Sequence, residues 1–161
     1  MRRDHKKVFL ISNKNMTHKE NTGKTILIER VIAAPIDLVF DVYTDEKHIL
    51  HWNRASEDWT TPFAESDPVV GGKFRVGYGS PDGKNDFVFE GTYDVVDRPH
   101  QLNYHIAGDA RPVAINFSSE GEGKTKVSLE LTLETENAEE LQRDGWSAIL
   151  ARLDGYIGTL S

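Results

Sequence analysis

The last stretch of the chain, Asn137 to Leu160, constrains the fold more than any other. Trp146, Ile149, Leu150, Leu153, Ile157 and Leu160 recur at i, i+3, i+4, i+7, i+11 and i+14. That spacing gathers them into one stripe of an amphipathic helix. Glu140, Asp144, Ser147, Ala151 and Asp154 occupy the other side and face water. Asn137 is placed to cap the helix, with Glu139 and Glu140 in its first turn, where negative charge suits the helix dipole. At 1.5 Å per residue such a helix runs roughly 30 Å, so its apolar stripe needs a broad partner surface.

The middle of the chain supplies that surface. Thr25 to Ile32 is β-branched and apolar, a strand by composition. Pro35, Asp37, Val39, Phe40 and Tyr43 then signal a helix start and its buried edge. Asp45 is set to cap a second short helix, Glu46 to His51. Beyond an irregular segment, period-two patterns take over. They run through Phe74, Val76 and Tyr78, then Phe87, Phe89, Gly91, Tyr93 and Val95 on one face, then Leu102, Tyr104 and Ile106. Val113, Ile115 and Phe117 follow, and Val127 to Leu133 completes the set. Turn residues at Gly71-Gly72, Ser80-Pro81-Asp82-Gly83, Gly108-Asp109 and Gly121 to Gly123 separate the runs. Short links between alternating strands predict an antiparallel meander. The fold class is therefore α+β: a curved antiparallel sheet wrapped around a long C-terminal helix, with two short helices after the first strand. Gly91, in a row of rings, is compatible with a bend or a void.

Charge excludes some functions. The net charge is −7, but residues 1–23 hold six Lys/Arg against two acids. The domain proper is thus strongly acidic and repels phosphate backbones, which argues against a nucleic-acid partner. The absence of cysteine removes disulfide and thiolate chemistry. No apolar run reaches the roughly 18 residues of a membrane span. Residues 1–23 read as a poorly ordered tail, residues 24–161 as one domain, and the expected location is the cytoplasm.

Several motifs, taken in order, resemble a known family. Arg30-x-Ile32-x-Ala34-Pro35, Val39-Phe40, Thr44-Asp45 and Trp52 are similar to the opening of the START-like (SRPBCC) superfamily. Gly71-Gly72, Gly91 to Val95, Pro99-x-x-Leu102 and Gly145-Trp146 with Leu150 and Leu153 resemble its branch of activators of heat shock protein 90 ATPase, the Aha-type C-terminal domain. The resemblance covers Thr25 to about Leu160 and implies the helix-grip fold. Two departures stand out. Asn53 follows Trp52 where relatives often carry an aromatic, and only about 23 residues precede the domain where the eukaryotic co-chaperones have another one.

The expected site is the cavity between sheet and helix. Its expected wall is Phe74, Tyr78, Phe89, Tyr93, Tyr104 and Phe117 from the strands, with Trp146, Ile149, Leu150 and Leu153 from the helix. Trp52 and Trp59 are placed at its rim, since they flank the irregular loop that the resemblance sets near the cavity mouth. The expected partner is a small hydrophobic molecule. The alternatives are a co-chaperone-like contact with a heat-shock chaperone and a polyketide-cyclase-like enzyme using the hydroxyls of Tyr78, Tyr93 and Tyr104. No nucleophile elbow, phosphate loop or dinucleotide fingerprint is present, so no catalytic residue and no cofactor is assigned. His48-x-x-His51 has a metal-like spacing but lacks a third ligand at fixed distance, and it reads as two solvated histidines. Arg30 reads as an ion pair holding the first strand, and Glu90, Arg111 and Glu130 as cross-strand pairs on the outer face.

Overall fold

A computed structural model describes residues 21–160; most of the expected tail lies outside the described residues. Strand β1 (Thr25–Ile32) is followed by helices α1 (Ile36–Thr44) and α2 (Glu46–Trp52). Six strands come next: β2 (Ala64–Ser66), β3 (Lys73–Tyr78), β4 (Phe87–Asp97), β5 (Gln101–Ile106), β6 (Pro112–Ser119) and β7 (Thr125–Thr132). Helix α3 (Glu139–Gly158) closes the domain. The strands form one seven-stranded sheet in the order β1-β7-β6-β5-β4-β3-β2, antiparallel at every pairing. Among the described residues no helix is long and apolar enough to cross a membrane.

The alternating apolar residues explain the packing. Ile26, Ile28 and Ile32, then Val113, Ile115 and Phe117, then Val127, Leu129 and Leu131 all point to one side and are buried. They meet Trp146, Ile149, Leu150, Leu153 and Ile157 of α3. Burying each Leu- or Ile-sized side chain contributes about 1.5–3 kcal/mol, enough to hold a helix whose solvent face is charged. Polar contacts along β1 and at Lys24 just before it then fix where α3 lies. Lys24 Nζ meets Glu139 Oε1 at 2.7 Å, Arg143 donates to the Leu27 carbonyl at 3.3 Å, and Arg30 Nε meets Asp154 Oδ2 at 2.8 Å. At the other end of the sheet, Arg98 grips both carboxylate oxygens of Asp41 at 2.8 Å, tying the β4–β5 turn to α1. That guanidinium holds the Asp41 carboxyl below its usual range.

Several local expectations need correction. Asn137 does not cap α3; Ala138 precedes the helix and has no side chain that can. Asn137 is turned inward, and its carbonyl accepts from Asn21 Nδ2 and Gln142 Nε2, both at 2.8 Å. Glu134 orders the turn that leads into the helix, accepting from the amides of Glu136 and Asn137 at 2.6 and 2.8 Å. Leu160 lies past the helix end and is exposed, so the apolar stripe stops at Ile157. Val95 leaves the inner face because the β4–β5 register shifts between Tyr93 and Val95. The extra residue of that bulge turns Val96 toward the core instead. Glu90 does pair across strands, with Arg75 Nε at 3.2 Å. Arg111 pairs instead with Asp109 in its own turn, at 2.6 Å, and Glu130 stands opposite Leu27 and Ala114.

A tyrosine-lined cavity as the candidate site

The inner face of β3, β4 and β5 is a patch of rings. Phe74 sits at its centre, with ring centroids 4.7 Å from Tyr104, 5.4 Å from Tyr93 and 5.7 Å from Phe89. This patch has room to exist because Gly91, opposite Phe74 in the ladder, carries no side chain. A Cβ there would stand 2.5 Å from the His105 carbonyl oxygen and 2.8 Å from the Phe74 ring. The glycine thus serves close packing rather than a void.

Between this patch and the helices lies a cavity of about 40 Å³. Its sheet wall is Phe74, Val76, Tyr78, Phe89 and Tyr93, with Leu102 and Tyr104 beyond. Its helical wall is Tyr43 of α1, Ile49 of α2, Asn53 just after it, and Trp146 and Ile149 of α3. One water needs roughly 10–15 Å³ by this measure, and small-molecule sites run from about 300 Å³. The rings therefore fill most of the concavity and leave space for a few waters.

Four phenols share this space and are not equivalent. Tyr78 donates to Asn53 Oδ1, and Tyr93 exchanges a 2.8 Å hydrogen bond with Ser66 Oγ. Among the described residues, the hydroxyls of Tyr43 and Tyr104 have no hydrogen-bond partner. Burial pushes all four phenols above their ordinary acidity range. The charge that each would gain on ionising opposes ionisation of its neighbours, most fully at Tyr104. They stay neutral donors at any physiological pH. With no carboxylate, imidazole or amine in the lining, the chamber offers hydrogen bonds to an acceptor oxygen but no base to take a proton.

A second recess, about 270 Å³, lies on the far side of Phe89 and Trp146, which border both spaces. Its remaining lining is mixed, with Glu90, Asp109, Arg111, Glu134 and Gln142 beside Phe87, Val88, Ile106 and Ala107. Gln142 is itself buried and stitches the end of β7 to α3. It accepts from the Glu134 amide at 3.1 Å and donates to the Glu134 carbonyl at 3.0 Å.

The structure thus brings Phe74, Tyr78, Phe89, Tyr93, Tyr104, Trp146 and Ile149 together around one space. It places the other candidates elsewhere. Trp52 is fully buried behind α1, donating to the Val42 carbonyl at 3.1 Å and packing on Tyr43 at 5.0 Å. It is core, not rim. Trp59 is buried against Phe87, 6.0 Å away. Phe117 sits beneath α1, 5.1 Å from Phe40. Leu150 and Leu153 are buried in the helix seam and do not line the cavity. Sequence reasoning missed Tyr43, Ile49, Asn53, Val76 and Leu102 as wall residues; the available signals were Tyr43 on the buried edge of α1 and the alternation that sets Val76 and Leu102 on the inner face. His48 and His51 are not simply solvated. His48 Nδ1 lies 2.7 Å from the Tyr156 hydroxyl, and the His51 ring stacks on the same tyrosine at 5.3 Å.

Known proteins give three kinds of finding. The model of the family described as "Activator of Hsp90 ATPase homolog 1-like protein" matches residues 33–158. No curated protein matches the chain. Among solved structures, an AHSA1-like protein from Aeromonas hydrophila is 34% identical with a TM-score of 0.78, over 85% of this chain and 94% of that one. A protein from Cytophaga hutchinsonii is also 34% identical, with a TM-score of 0.72 over 84% and 93% of the two chains. A Nitrosomonas europaea protein at 18% identity shares the fold, with a TM-score of 0.73 over 84% and 95%.

Proposed function

The chain belongs to the Activator of Hsp90 ATPase homolog 1-like family, and on that premise we propose that it binds a small, mostly apolar molecule carrying an acceptor oxygen. The binding place is the cavity between the sheet and α3. One observation carries this reading: two unpartnered phenol hydroxyls, Tyr43 and Tyr104, in the lining of an otherwise mainly apolar chamber. Neither hydroxyl bonds to the protein, so a carbonyl or ether oxygen seated in the chamber can accept from both, each bond contributing about 0.5–1.5 kcal/mol. The missing volume comes from next door. If the Phe89 ring turns away from Trp146, chamber and outer recess join and reach roughly the 300 Å³ at which small-ligand sites begin. The lack of a base in the lining favours holding over turnover.

The test uses two measurements. Native mass spectrometry of gently purified protein should show an excess mass that disappears on denaturation. Prodan, a neutral fluorophore with one ketone oxygen, should bind saturably with blue-shifted emission. The pair Tyr43→Phe and Tyr104→Phe should weaken it about fivefold to tenfold for each hydrogen bond lost. No excess mass together with no saturable Prodan signal sinks the proposal.

Contact with a heat-shock chaperone is the second reading. The tryptophans of the Trp52–Trp59 loop are buried and offer it nothing. Its one favourable observation is the β2–β3 turn, where Val69 and Val70 are 52% and 69% exposed. An unchanged chaperone ATPase rate on adding the protein removes it.

A further inference from the structure

Away from the tyrosine chamber, the loop that follows α2 lies beside the outer flank of α3; Ala55 and Ala148 line the same groove there. Beside this groove stand two arginines, Arg54 from the loop and Arg152 from the helix, near enough for their charges to repel and for Glu57 to act on both. Each has its Nε–H buried without an acceptor, the only such side-chain atoms among the described residues. Native proteins rarely leave buried donors unpaired, and an unpaired one on a cationic group points to a missing water or ion.

The other contacts of the two side chains leave their charge poorly matched. Arg54 reaches the Leu50 carbonyl and Thr61 Oγ1, both at the long distance of 3.4 Å, and neither is a carboxylate. Arg152 meets Glu57 Oε1 at 3.0 Å, but Glu57 is 84% exposed. Burial and the charge of Arg152 both pull the Arg54 guanidinium below its ordinary range, and only Glu57 opposes them. Two cations in an otherwise acidic domain thus share one solvent-facing carboxylate.

We propose that Arg54 and Arg152 form a binding site for one oxyanion, a carboxylate or a phosphate, clasped between the loop and α3. Its oxygens take the two buried Nε–H donors, one from each side of the seam, in the charge-assisted geometry to which guanidinium is suited. Glu57 is the built-in competitor that occupies Arg152 when the site is empty of ligand. The site is independent of the tyrosine chamber, so either can fail without the other.

The test is a titration of isotope-labelled protein followed at the arginine Nε–Hε resonances, with sodium phosphate, sodium acetate and sodium chloride at matched ionic strength. Two of these resonances should shift together and saturably with phosphate or acetate and stay put with chloride. The tighter of the two curves tells phosphate from carboxylate. Glu57→Gln, a change at an exposed position, should tighten binding several-fold, whereas Arg152→Gln should abolish the response of Arg54. Shifts that follow ionic strength alike in all three salts, or an affinity unmoved by Glu57→Gln, overturn the site and assign the two donors to water. Should Arg152→Gln fail to fold, the wild-type and Glu57→Gln titrations still decide.

Discussion

The rings of Phe89 and Trp146 stand 6.0 Å apart, edge to face at 74°, and form the partition between the inner chamber and the outer recess. One comes from β4 and the other from the first turns of α3, so the contact also ties sheet to helix. Phe89→Ala should merge the two spaces. Because Phe89 is only half-buried, the expected cost is about 2–3 kcal/mol, below the range for a fully buried ring. Urea denaturation reads that loss. Prodan should associate faster with the variant, and an unchanged on-rate would mean that this contact does not control entry.

The four phenols should respond differently to loss of the hydroxyl. Tyr78→Phe strands Asn53 Oδ1, so it should cost about 1–2 kcal/mol. Tyr43→Phe and Tyr104→Phe remove hydroxyls that have no partner to strand, and should leave stability unchanged or slightly raised. Urea midpoints of the three variants compare these directly. Equal losses at all three positions would mean that Tyr43 and Tyr104 are hydrogen-bonded after all.

Alkaline pH tests the same groups. In the folded protein the phenols of Tyr43, Tyr78 and Tyr104 hold their protons above the pH, about 10, at which they ionise in an unfolded chain. The native state then binds more protons than the unfolded one, and stability falls as pH rises. These groups contribute fully below pH of about 10 and lose up to about 1.4 kcal/mol per pH unit each above it. Urea midpoints should be insensitive to them below that point and drop beyond it. Beyond the signal of the partly exposed Tyr156, phenolate absorbance should rise together with unfolding, not ahead of it. In the double variant Tyr43→Phe, Tyr104→Phe the alkaline slope should flatten.

Much of this architecture was legible because its signals are local and periodic. β1 ends where its β-branched run ends, and Asp45 caps α2 by accepting from the Lys47 amide at 2.9 Å, as its position before the helix implied. The alternation in β5, β6 and β7 carries through to burial, residue by residue. The site was less legible, for a reason visible at Trp52. A large ring beside an irregular loop reads equally well as rim or core, and only the position of the Val42 carbonyl decides. Asn53 and Gln142 matter through what they bond to across the fold, which no spacing encodes. The bulge that exchanges Val95 for Val96 left no mark in the pattern, since both are valine.

Gly91→Ala tests whether the ring patch tolerates any slack. The new Cβ would meet a backbone atom, the His105 oxygen at 2.5 Å, and a ring, Phe74 at 2.8 Å. The ring can turn, but the carbonyl is fixed by the β4–β5 ladder, where Gly91 pairs with Ile106. Overpacking of this kind costs about 1–3 kcal/mol. For a chain of this length each kcal/mol lowers the melting temperature by about 2–4 °C. Adding Phe74→Leu separates the two contacts. A smaller side chain removes the clash with the ring and leaves the clash with the carbonyl, so the double variant should recover only part of the difference measured against Phe74→Leu alone. Full recovery would place the whole strain in the ring. No recovery would place it in the ladder, with the β4–β5 pairing spread open at the floor of the chamber.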